Sequence, residues 1–310
     1  MSHIKEFRVA GFYEHFGLYR FLLSQKDWKK FLQDGRQIES VYGSLPGFVW
    51  AGGRNNDYGG ALNLNFLEKA VEMYNSHGIG VYLTATNVFA DQEMFGDYYC
   101  NQVMKIFNSN AINGVITLNN SLEDYLRNSY SNLRFVLSVV WWFMNQKDIS
   151  HYSELDTPKY FKIVLRSEDS RDFSLIKKNI SKKEWPRIEI FVNEKCNPEC
   201  PLRIAHNEII SRANMYQAKP HEGNEFLERR KKYNCPRTKD TKFSDLPREL
   251  YLNNQDIETF TELGINKFKM EGRDALLVHY IQEFADYLLK EKYREDFVHD
   301  TIAFLKSRQK

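Results

Sequence analysis

Three of the four cysteines of this chain stand in one stretch. Cys196 and Cys200 form a C-N-P-E-C turn directly after the β-rich run 188–192, and Pro198 and Pro201 stiffen that turn by fixing φ. Cys235 follows in N-C-P-R. Thiols in this layout can point at one centre and bind iron–sulfur or zinc. A [4Fe–4S] cluster takes four thiolates, and Cys100 would complete that set with none left over. Zinc would take three cysteines and one histidine, most naturally His206. Lys195, Arg203 and Arg237 lie near enough in sequence to favour the thiolate form. A third outcome is that the cysteines are simply buried, since free Cys is among the most buried residue types.

A second set of polar residues sits where apolar runs end. Gly53 and Arg54, Asn87, Asn119 with Asn120, Ser138, Arg166, Asn193 with Glu194, and Glu271 with Arg273 each follow a strand-like segment. Singly, an Asn at such a place is a helix cap or a turn former. Jointly they read as a polar ring, with Asn119, Asn193, Glu271 and Arg273 as candidate catalytic residues and Arg54, Asn87 and Arg166 as candidate substrate-binding residues. Arg273 would hold an anionic group, and Glu271 would orient it or move a proton. An internal ion pair that fixes the last strand is the alternative for that pair.

The elements that must position these residues alternate. Strand-like runs occur at 5–10, 38–42 with 47–50, 80–85, 114–118, 134–140, 160–165, 188–192 and 266–270. Helical periodicity appears at 12–30, 65–76, 97–108, 122–130, 173–179, 256–263 and 274–290. Gly78 and Gly264 close helices that feed strands, as C-terminal glycines do. Ser121 with Asp124 at the third position looks like a capping box. About eight strands interleaved with helices match a (β/α)8 barrel, whose active site lies at the C-terminal strand ends. An open doubly wound sheet is the runner-up. The expected architecture is a single TIM-barrel-like domain over 1–310, running from Lys5 to about Leu289, with a Cys-bearing insertion at about 196–249 on the C-terminal face.

Composition sets limits. Hydrophobic residues make up 42% and charged residues 27%, which fits a globular chain. A net charge of +2 gives no global field that would recruit nucleic acid or membrane. The longest apolar stretch, 135–144, is too short to span a bilayer. No signal peptide is visible, so a cytoplasmic location is expected, where clustered cysteines point to metal or catalysis rather than disulfides. Arg229, Arg230, Lys231, Lys232, Arg237, Lys239 and Lys242 make a local basic patch beside Cys235, either a solvated face or an RNA contact. There is no P-loop, dinucleotide fingerprint, H-E-x-x-H or G-x-S-x-G.

The segment 245–273, D-L-P-R-E-L-Y-L-N-N followed by I-E-T-F-T-E-L-G-I-N-K-F-K-M-E-G-R, resembles part of the collagenase-like peptidase family. That family includes anaerobic ubiquinone- and RNA-hydroxylation iron–sulfur proteins. Gly264, Ile265, Phe268, Lys269, Glu271, Gly272 and Arg273 match its strand-end signature, and Met270 stands where a β-branched residue is usual. The cysteine layout is similar in kind. The resemblance implies a metal-centre enzyme carrying out oxygen-independent hydroxylation or another redox modification of an aromatic or nucleobase substrate. Its partners would be a small-molecule or RNA substrate and a redox partner protein. A collagenase-like peptidase, or a non-catalytic RNA- or partner-binding protein with a structural zinc, is the competing expectation.

Overall fold

Each described β-strand pairs in parallel with the next one, and the last pairs with the first. A computed structural model describes residues 4–53, 60–196, 200–215, 250–273 and 275–308. Its strands are β1 (Lys5–Ala10), β2 (Arg36–Gly43), β3 (Gly80–Thr84), β4 (Gly114–Thr117), β5 (Arg134–Leu137), β6 (Lys162–Val164), β7 (Ile188–Asn193) and β8 (Lys267–Met270). They close in sequence order into an eight-stranded (β/α)8 barrel. The helices are α1 (Phe16–Ser24), α2 (Leu64–Ser76), α3 (Gln92–Phe95), α4 (Tyr98–Phe107), α5 (Ser121–Ser129), α6 (Val139–Met144), α7 (Ser167–Ser170), α8 (Phe173–Asn179), α9 (Arg203–Met215), α10 (Asn254–Glu262), α11 (Leu277–Leu288) and α12 (Glu291–Ser307).

Several boundaries differ from the sequence reading, each for a local reason. The run 134–140 is not one strand. β5 stops at Leu137, and Ser138 caps α6 by accepting the Val140 amide at 3.2 Å. The cap of α5 is Asn120, with Glu123 at the third position. Glu123 is drawn inward instead of folding back on its own helix. It accepts from Thr117 Oγ1 at 2.7 Å and from the Asn119 amide at 3.0 Å, and Asp124 plays no capping part. Residues 47–50 form turns rather than a strand. The helical pattern of 12–30 contracts to α1 and a short 3-10 turn at Trp28–Phe31. Beyond Leu289, α12 stacks Phe297 on Phe284 of α11 and sets Phe297 and Phe304 against Phe21 of α1.

The barrel interior is charged. Parallel strands covered on both faces usually read as apolar runs, yet Arg8, Lys162 and Glu189 are fully buried within it. Glu189 Oε1 lies 3.3 Å from Arg8 Nε and 3.5 Å from Lys162 Nζ, and Lys162 also meets Glu39 at 2.8 Å. Burial by itself would raise the Glu39 carboxyl, but Lys162 and Arg8 outweigh it and hold the group at about 2. Arg8 lies over the Tyr82 ring, 4.4 Å from its centre. Gly114 makes room for that ring, because a Cβ there would come within 2.5 Å of it. Among the described residues, no helix is long and apolar enough to cross a membrane.

Candidate active site at the barrel mouth

The inward side of β8 and its continuation alternates Lys267, Lys269, Glu271 and Arg273, one residue in two, as strand geometry requires. Lys267 closes the lower end with an ion pair to Glu6 at 2.5 Å. The next three line a cavity at the C-terminal mouth, together with Tyr42, Thr84, Phe191, Glu194, Cys196, Arg203 and His206 among others.

Lys269 is 5% exposed. Its Nζ lies 4.6 Å from the centre of the Tyr42 ring and 5.0 Å from that of Phe191. Among the described residues it has neither a hydrogen bond nor an ion pair. Burial pushes the amine down to about 7; Glu189 and Glu271 oppose the shift, and Arg8 and Arg273 add to it. A neutral amine at ordinary pH is a base and a nucleophile.

Glu271 is held from two sides. Its backbone is clamped by Asn193, whose Oδ1 accepts the Glu271 amide at 2.7 Å and whose Nδ2 donates to the Glu271 carbonyl at 3.1 Å. The same Nδ2 donates to Glu283 of α11 at 2.9 Å. The Glu271 carboxylate accepts the Lys195 amide at 2.8 Å, while Lys195 Nζ pairs with Glu283 at 3.0 Å. Asn193 is therefore a buried positioning residue between β7, β8 and α11, and it does not line the cavity. Gly272 turns the chain at φ +146°, where a Cβ would strike the Tyr280 ring at 2.5 Å, and its carbonyl accepts His15 Nε2 at 2.8 Å. Arg273 emerges from this bend, donates to Thr84 Oγ1 of β3 at 3.2 Å, and lies 5.7 Å from the Tyr42 ring centre.

The insertion supplies another part of the wall. Its return limb runs beside the end of β7, with the Glu194 amide on Leu250 O at 2.7 Å and the Leu252 amide on Val192 O at 2.7 Å. Its outgoing limb is α9. Arg203 of α9 pairs with Glu194 and rests over the Phe143 ring at 3.5 Å. Glu194 is buried, which raises its carboxyl, while Arg203 and the Ser167 amide at 3.1 Å oppose that.

The remaining sequence candidates fall elsewhere. Asn87 is fully buried; its Nδ2 donates to Val49 O at 2.8 Å and Ser211 O at 3.0 Å, tying α9 to the mouth loop. Arg166 grips Asp169 of its own helix with two hydrogen bonds, at 2.6 and 3.0 Å. Asn119 is exposed, turns at φ +55° and accepts from Lys159. None of these three lines the cavity. Arg54, Cys235 and the basic patch 229–242 lie outside the described residues.

Cys196 lines the cavity, and Cys200 is half-buried just before α9. Cys100 is 0% exposed in the first turn of α4, and burial, with Asp97 adding, keeps its thiol protonated. Among the described residues, no three His, Cys, Asp or Glu side chains stand together as a metal site. Lys269 and Arg203, which both line the mouth, were not singled out as site residues from sequence. The signal for Lys269 was present as charge alternation along a strand that had to be buried.

No family model and no curated protein matches the chain. Among solved structures it is similar to the U32 peptidase Mk0906, at 11% identity and a TM-score of 0.47, over 87% of this chain and 94% of that one. It is also similar to a GH113 β-1,4-mannanase complex, at 11% identity and a TM-score of 0.36, over 99% of this chain and 100% of that one.

Proposed function

We propose that this chain is an enzyme that binds a small anionic organic substrate at the barrel mouth and performs proton transfer there with its own side chains. Lys269 carries the reading. A buried amine in a cavity wall, flanked by two aromatic rings and without a polar partner among the described residues, costs stability, and a catalytic use accounts for keeping it. Arg273 receives the anionic group, Lys269 takes or gives the proton, and Glu271, oriented by Lys195 and Asn193, completes the exchange. Thermal-shift screening of the full chain against carboxylate and phosphate metabolites tests this. Stabilising ligands should be carboxylates or phosphates and should lose their effect in Arg273→Gln. Hits confined to neutral molecules, or hits unaffected by Arg273→Gln, would contradict it.

A second reading starts from Cys196 in the cavity wall. With Cys200 and Cys235 it would form a metal centre beside the same substrate, serving the oxygen-independent redox modification that the family resemblance implies. Iron, sulfide and zinc per chain, measured after purification without oxygen, decide this. A stoichiometric metal that is lost in Cys196→Ala favours the centre; a metal-free chain that still binds its ligand favours the proton-transfer reading.

A further inference from the structure

We propose that Lys269 forms a Schiff base with a small 2-oxo acid whose carboxylate is received by Arg273. The inference rests on the anionic-substrate reading and names the substrate class. Three observations carry it. Lys269 ends in the cavity, with its amine against Tyr42 and Phe191 and no ion pair or hydrogen bond among the described residues to hold it back from an electrophile. Arg273 lies over the same Tyr42 ring, so the amine and the guanidinium carbon stand no more than about 10 Å apart. That separation admits a molecule with a carbonyl next to a carboxylate. Glu271 lies between them in sequence and lines the same cavity.

The chemistry balances without an oxidant or reductant. The Nζ lone pair attacks the carbonyl carbon, and the C=O π pair moves to oxygen. One amine proton passes through the Glu271 carboxylate to that oxygen and gives a carbinolamine. The second leaves nitrogen as the C–O bond breaks, so the oxygen departs as one water and a C=N bond remains. A lysine desolvated by aromatic walls and placed near further cations is the type that attacks carbonyls. The lowered basicity of this amine, about 7, keeps a large share of it unprotonated at neutral pH.

Reductive trapping tests the proposal. The full-length chain is incubated with pyruvate and sodium cyanoborohydride near neutral pH, and the adduct is located by peptide mass mapping of the unmutated protein. One adduct per chain is expected, on Lys269, forming at least ten-fold faster than with acetone, which has the carbonyl but no carboxylate. Lys269→Met should lose it. Mapping of the native chain keeps the test valid if that variant folds poorly. Label spread over surface lysines with Lys269 unmodified overturns the proposal, as does equal labelling by acetone. Lactate, which has the carboxylate but no carbonyl, runs in parallel as a thermal-shift ligand. Stabilisation by lactate without any pyruvate adduct sinks the Schiff base and leaves the anion site standing. Neither stabilisation nor adduct removes both.

Discussion

Replacing Lys269 by Met should stabilise the protein, and the gain should vanish as pH rises. The amine falls from an ordinary 10.5 to about 7 because the folded chain withdraws it from water. That difference corresponds to roughly 5 kcal/mol of preference for the neutral form. Met has nearly the same length, no charge and a flexible thioether that fills such a slot. The net gain for Lys269→Met near pH 6 is therefore up to about 5 kcal/mol. The sign with pH follows from proton uptake. Between about pH 7 and pH 10.5 the unfolded lysine is protonated and the folded one is not, so unfolding takes up a proton. Wild-type stability rises across that window by up to about 1.4 kcal/mol per pH unit, and the advantage of Met shrinks by the same slope. Below about pH 7 both states carry the charge and the advantage is flat. Urea unfolding of both proteins at about pH 6, 8 and 9.5 measures this. A Met variant less stable than wild type at pH 6, or an advantage that ignores pH, would refute the reasoning.

Three further outcomes are expected. Cys100→Ala should cost roughly 1–2 kcal/mol in unfolding by denaturant, because it opens a small hole in the core beside the Trp50 and Val49 backbone, and should leave the metal content by elemental analysis unchanged. Asn193→Ala removes the two-way clamp on Glu271 and one partner of Glu283; unfolding free energy should fall by about 2–4 kcal/mol. Glu189→Gln takes one anion from two buried cations, Arg8 and Lys162, and leaves Glu39 to balance both, with an expected loss of about 3–5 kcal/mol, and Glu189→Leu should do no better. For either change at Glu189, a loss below about 1 kcal/mol would mean that water or another group already satisfies Arg8.

The fold was legible because its signals are local. Apolar runs such as 114–118, glycines such as Gly78 and Gly264 past helix ends, and the alternation of the two patterns are set by short-range sterics and burial, and they led to a closed barrel. The chemistry of β8 was half legible. Glu271 and Arg273 announce themselves by following the strand at 266–270, and both reach the cavity. Lys269 is written in the same segment, but its consequence is not local. Its basicity depends on Tyr42 from β2, Phe191 from β7 and Arg8 from β1, which only barrel closure brings around it. The same reason separates the asparagines. Asn87, Asn119 and Asn193 look alike at strand ends, yet one ties down α9, one turns outward to Lys159 and one clamps Glu271. Cysteine count is equally silent about position, and the packing of α4 decided that Cys100 lies in the core while Cys196 faces the cavity. Sequence determined which residues alternate and where the backbone turns. The tertiary structure decided which charged side chains lose their water, because desolvation is a property of every neighbour at once and of no single strand.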